Sequence, residues 1–69
     1  MERQFVSSSH ILSIGYDPSS MTLEVEFKTG AVYQYYDASE AEYRAFISSS
    51  SLGHEISVID KTHSYSRVC

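Results

Sequence analysis

The sequence predicts a small α+β domain: a three-stranded antiparallel sheet, one main helix packed on it, a short second helix and an extended C-terminal tail. Three observations carry this. Residues 21–28 (MTLEVEFK) alternate, with Leu23, Val25 and Phe27 on one face and Thr22, Glu24 and Glu26 on the other, as a half-buried strand does. Residues 31–36 (AVYQYY) follow a Thr29-Gly30 bend and read as its hairpin partner. Ser39-Glu40-Ala41-Glu42 then has the spacing of a capping box, with Tyr43, Phe46 and Ile47 behind it at helical intervals.

In chain order, residues 10–16 (HILSIGY) form the first strand, ended by the turn residues Asp17, Pro18, Ser19 and Ser20. The second bend sets the register. A two-residue turn would force the β-branched Thr29 to positive φ, whereas a three-residue loop over residues 28–30 with a bulge asks this only of Gly30. Leu23 then faces Tyr35, Val25 faces Tyr33 and Phe27 faces Ala31. Tyr33 and Tyr35 share the apolar face, and Val32, Gln34 and Tyr36 lie opposite. The main helix starts at Ser39 and frays in the serines at 48–51, with Gly53 as its C-cap. Leu52, Ile56 and Ile59 fit a short second helix, the preferred reading, while Ile56 and Val58 also fit a strand, and residues 63–69 (HSYSRVC) pack as an irregular strand or extended arm.

At 69 residues the chain is one domain, residues 1–69. Domains of about 60 residues bury only about 60% of their unfolded surface, so a homodimer or higher homo-oligomer is expected. The single cysteine, Cys69, offers no internal disulfide and suggests a reducing compartment. No apolar run approaches a membrane span, and the first residues lack the layout of a secretory signal, so the expected location is the cytoplasm of a bacterium or an infected host cell. Nine acidic against five basic residues give a net charge of −4, which disfavours long nucleic acids but not a small anion gripped by one or two arginines.

The segments RQFVSSSHILSIGYD and TLEVEFKTGAVYQYYD, the helix carrying Tyr43 and Phe46, and residues 65–68 (YSRV) together resemble the KTSC family. That family is named for a region at the C-terminus of some lysyl-tRNA synthetases and also occurs as free-standing bacterial and viral proteins. The resemblance implies a small antiparallel sheet with a helix on it, a Tyr33-x-Tyr35 centre, and Tyr65 and Arg67 as the aromatic and basic end of the pattern. RNA binding is the role suggested for the family. Downstream of Gly53 this chain departs from the pattern, with only Lys61 and Arg67 basic, which weakens that reading.

Tyr33 and Tyr35 either pack under the helix or offer their faces to a base. Tyr36, on the opposite face, is a stacking or dimer-contact candidate. Arg67 beside Tyr65, together with Arg3, can grip a phosphate. The hydroxyls and amides of the 7–9 serine cluster, Ser8 and Ser9 above all, can bond phosphate or ribose oxygens. The histidines lack the spacing of a zinc site, so no metal is expected, and no cofactor. Asp60 and His63 read as a local hydrogen bond. Ser9 and His10 point to opposite sides of a strand and form no dyad, and no nucleophile elbow or phosphate-cradling glycine loop is present, so the protein is not expected to be an enzyme. The expected function is a non-catalytic binding module for a nucleotide or short oligonucleotide, able to sequester a nucleotide signal. The alternative is a protein-protein or homo-oligomerisation module using Thr22, Glu24, Glu26, Gln34 and Tyr36.

Overall fold

The computed structural model describes residues 1–69. Strands β1 (Arg3–Phe5), β2 (Ile11–Asp17), β3 (Thr22–Phe27), β4 (Val32–Tyr35) and β5 (Tyr65–Arg67) form one antiparallel sheet in the order β1-β2-β3-β4-β5. Helices α1 (Glu40–Ile47) and α2 (Leu52–Thr62) lie between β4 and β5 in the chain. They bury Phe46, Leu52, Ile56 and Ile59 against Ile11, Ile14, Leu23, Val25 and Tyr35 of the sheet.

The α+β class holds, but the expectation of three strands does not: the sheet has five. The two extra strands are three residues long and exposed throughout, so neither shows the alternation that marks a half-buried strand. Pairing with β2 and β4 defines them instead. Of the two alternatives for the tail, an irregular strand or an extended arm, residues 65–67 take the strand, at the edge of the sheet. The helix sizes also reverse expectation, with 8 residues in α1 and 11 in α2. Helix α2 continues past Ile59 to Thr62, and Gly53 stands in its first turn rather than capping α1, whose C-cap is Ser48.

The hairpin register is as the bend requires. Gly30 has φ +97°, and no other residue of the bend is left-handed. Its amide donates to the Phe27 carbonyl at 2.9 Å, and the Phe27 amide donates to the Ala31 carbonyl at 2.9 Å. Leu23 pairs with Tyr35 and Val25 with Tyr33. In β2 a bulge between Ile11 and Ser13 takes up one residue, so Ile11 and Ile14 both reach the core despite their odd spacing.

The capping box at Ser39 closes α1: its hydroxyl accepts from the Glu42 amide at 3.1 Å and its amide donates to Glu42 at 3.2 Å. The Tyr16 ring stacks on Tyr43 with centroids 4.8 Å apart, and its hydroxyl donates to the Ala38 carbonyl at 2.6 Å. The ring nitrogens of His63 contact the Tyr36 carbonyl at 2.9 Å and the Glu42 carboxylate at 2.7 Å. Both partners are acceptors, so a ring carrying hydrogen on both nitrogens satisfies both. The Ser39 amide, then His63, hold the Glu42 carboxyl below its usual range. His63 thus ties the end of α2 to α1 rather than to Asp60, as the local reading had it.

Gly15 lies where β1 crosses β2. A Cβ there would sit 2.7 Å from the Glu2 carbonyl oxygen and 2.8 Å from Arg3 Cγ. Gly15→Ala is therefore expected to push β1 off the sheet, with a stability loss of about 1–3 kcal/mol. Hydrogen exchange is the measurement: the β1 amides should lose protection while those of β3 keep theirs.

Candidate functional site: an aromatic groove and a polar cavity along α2

Two depressions flank α2. The first is a groove of about 400 Å³ between the β3–β4 hairpin and the helix. Positions 33 and 35 of β4 point to the helix face, and pairing sets Tyr65 of β5 across from Tyr35. With Phe27 they make a four-ring cluster. Tyr33 lies 5.6 Å from Phe27, edge to face, and 5.6 Å from Tyr65, while Tyr35 lies 5.6 Å from Tyr65. Tyr35, 1% exposed, is the floor; Tyr65, 48% exposed, is a wall; Tyr33 is half-buried between them. The Tyr35 hydroxyl donates to the Asp60 carboxylate of α2 at 3.3 Å. Burial, and secondarily the Asp60 charge, raise the Tyr35 phenol well above its usual range, so it remains a donor. No lysine or arginine lines this groove.

The second depression, about 900 Å³, opens at the start of α2 and is polar. Residues 7–9, His10 and Lys28 form one side, and residues 50–54, including His54, the other. Ser8 Oγ accepts from the His10 and Ile11 amides at 3.2 and 3.3 Å, which orients the serine loop. Lys28 is brought alongside by its amide, which donates to the His10 carbonyl at 2.9 Å. Gly53 lets the His10 ring approach, since a Cβ there would lie 3.2 Å from His10 Cδ2. The Ser51 hydroxyl does not cap α2, and the first turn of a helix leaves amides without an intrahelical partner; residues 52–54 of that turn line this space. Hydroxyls, amides, a lysine and two imidazoles together can hold an oxyanion.

The two depressions neighbour each other. Lys28 lines one while Phe27 and Thr29 line the other, and Gly53 and Ser57, one helical turn apart, do likewise.

Of the residues singled out from sequence, Tyr33, Tyr35 and Tyr65 meet in the groove, and Ser8 and Ser9 line the polar cavity. Arg67 pairs with Tyr33 across β4 and β5, so it shares the groove face, but its Nε donates to the Cys69 carbonyl at 2.8 Å and it does not line the groove. Arg3 and Tyr36 lie on the opposite, helix-free face. There Arg3 pairs with Glu24 at 3.4 Å and Glu26 at 3.7 Å, Gln34 donates to Glu24 at 2.9 Å, and Tyr36 bonds Ser66 at 2.5 Å. The polar groups of that face are thus satisfied within the chain. Sequence reasoning missed Lys28, His54 and Asp60. Asp60 was accessible to it, since a helix burying Ile56 and Ile59 carries residue 60 along the flank nearest β4. Lys28 and His54 gave no local signal, because only the sheet and α2 bring them together.

The KTSC domain family model matches residues 7–54, more than half of the chain. The chain belongs to the KTSC family. A KTSC domain protein of Yersinia pestis, known from its crystal structure, superposes with a TM-score of 0.94 at 39% identity, covering 99% of this chain and 97% of that one. An uncharacterised protein of Stutzerimonas stutzeri (strain A1501) is 37% identical over 65 residues, 94% of this chain and 92% of its own. Both relatives are bacterial, and each is matched over nearly its whole length as a short protein rather than as the tail of a synthetase. The matched span of the KTSC domain includes Ser8, Ser9, Tyr33, Tyr35 and the start of α2, but ends before Asp60 and Tyr65. No helix of this KTSC domain is long and apolar enough to cross a membrane.

Proposed function

We propose that the domain binds a mononucleotide or short oligonucleotide without converting it, with the base in the aromatic groove and the phosphate in the polar cavity. The adjacency of the two depressions along α2 carries this reading: one offers ring faces and no cation, the other hydroxyls, amides and Lys28. Base stacking on tyrosine is worth about 1–3 kcal/mol per base and is tolerant of sequence. A short ligand fits better than a long one, because a net charge of −4 gives no track for a phosphate backbone, and this weighs equally against extended RNA. A free-standing copy of such a module would act by sequestering its ligand.

The test is calorimetric titration with mono-, cyclic and oligonucleotides against the unaltered protein, Tyr65→Ala and Lys28→Ala. Tyr65→Ala is expected to weaken binding by about 1–3 kcal/mol. Lys28→Ala should weaken it and flatten its salt dependence. The alternative, a surface for a second copy, draws support from the exposed edge strands and from Phe5, 78% exposed. A dimer mass by light scattering with no heat from any nucleotide would favour that alternative.

A further inference from the structure

We infer that the groove selects guanine, with Asp60 as the residue that reads the base. This rests on the nucleotide reading above and adds the identity of the base. Asp60 stands on α2 at the edge of the ring cluster, its Oδ1 fixed by the Tyr35 hydroxyl at 3.3 Å. It takes part in none of the ion pairs of the chain. Asp60 is exposed and lines the groove, and the Tyr35 hydroxyl is its one side-chain hydrogen-bond partner within the chain, which leaves its second oxygen and a lone pair on the first without a partner. An ionised carboxylate only accepts, so it favours a base edge that presents donors and repels one that presents lone pairs.

The Watson–Crick edges of the bases differ sharply in this respect. Guanine places two adjacent donors there, N1–H and the N2 amino group, which match the two oxygens of a carboxylate. Adenine offers one amino donor beside the N1 lone pair, and cytosine one beside N3. Uracil has a single N–H between two carbonyls. Hypoxanthine keeps the N1–H of guanine but lacks the amino group. A base stacked on Tyr33 and Tyr65 with this edge toward α2 is read by the carboxylate as flipped bases are read in enclosed sites, by edge bonding combined with stacking. The groove supplies no cation to compete for Asp60 or to attract the acceptor-rich edges of the other bases.

The experiment compares GMP, IMP, AMP, CMP and UMP by calorimetry on the unaltered protein and on Asp60→Ala. Asp60 is exposed, so this variant retains its fold. GMP is expected to bind at least about 10-fold more tightly than AMP, CMP or UMP, with IMP between, as a bidentate base contact predicts. Asp60→Ala should bring all five to similar affinities while leaving stacking-driven binding in place. Equal affinities in the unaltered protein would overturn the guanine assignment and leave the nucleotide reading standing. Retention of the GMP preference in Asp60→Ala would overturn the role of Asp60. Absence of heat from every nucleotide would overturn both.

Discussion

Phe46→Ala is expected to leave the domain largely unfolded under mild conditions. Phe46 is 1% exposed and is the one residue of α1 that is fully buried, so the helix is anchored to the sheet chiefly by this ring. Its other supports are peripheral: the capping box, the Tyr16–Tyr43 stack, the Glu42–His63 contact at 2.7 Å and an exposed Arg44–Glu40 pair at 2.6 Å, which as a surface ion pair adds little. Truncating a buried phenylalanine costs about 3–5 kcal/mol. A chain of this length has about 3–10 kcal/mol of total stability, at roughly 0.05–0.15 kcal/mol per residue. The loss is therefore comparable with the whole. Urea unfolding followed by circular dichroism checks it, with Val58→Ala, on the exposed side of α2, as the control expected to change stability by less than about 0.5 kcal/mol. A shift below about 1 kcal/mol for Phe46→Ala would mean that α1 does not depend on this anchor.

The parts of the fold that could be read from sequence are those in which one residue has to satisfy a local constraint. Gly30 is one, because threonine resists a left-handed backbone; that single restriction placed Leu23 opposite Tyr35 and Val25 opposite Tyr33. Ser39 and Glu42 are another, because their spacing pairs amide and carboxylate reciprocally. Elements without such a constraint were missed, as β1 was, or left between strand and arm, as β5 was. Strands β1 and β5 owe their existence to open edges on β2 and β4, and their own residues are exposed on both sides. The bulge at Leu12 breaks the alternation of β2 and disguises which of its residues are buried. The site divides in the same way. Tyr33 and Tyr35 follow from register and period and Tyr65 from the family resemblance, whereas Lys28 and His54 come to one cavity only through the tertiary arrangement. Arg3 is the opposite case: a lone cation near the start of the chain invites a phosphate, but two glutamates of β3 hold it on the far face.

The second large effect separates tyrosines that build the groove from those that would touch a ligand. Tyr35→Ala is expected to destabilise the domain by about 3–5 kcal/mol, as truncation of other buried aromatics does. Tyr35 is 1% exposed and packs within the same core as Leu23 and Phe46. Tyr35→Phe keeps that volume and loses only a 3.3 Å hydrogen bond to an exposed carboxylate, so its cost should stay below about 1.5 kcal/mol. Tyr65→Ala removes a half-open wall and should cost less stability than Tyr35→Ala while weakening ligand binding more than Tyr35→Phe does. Thermal melts and calorimetry on the three variants test the ordering. If Tyr35→Ala melted like the unaltered protein, the ring would not be the floor of the groove. The pairing of β3 with β4 would then be offset by one residue, and Gln34 rather than Tyr35 would face the helices.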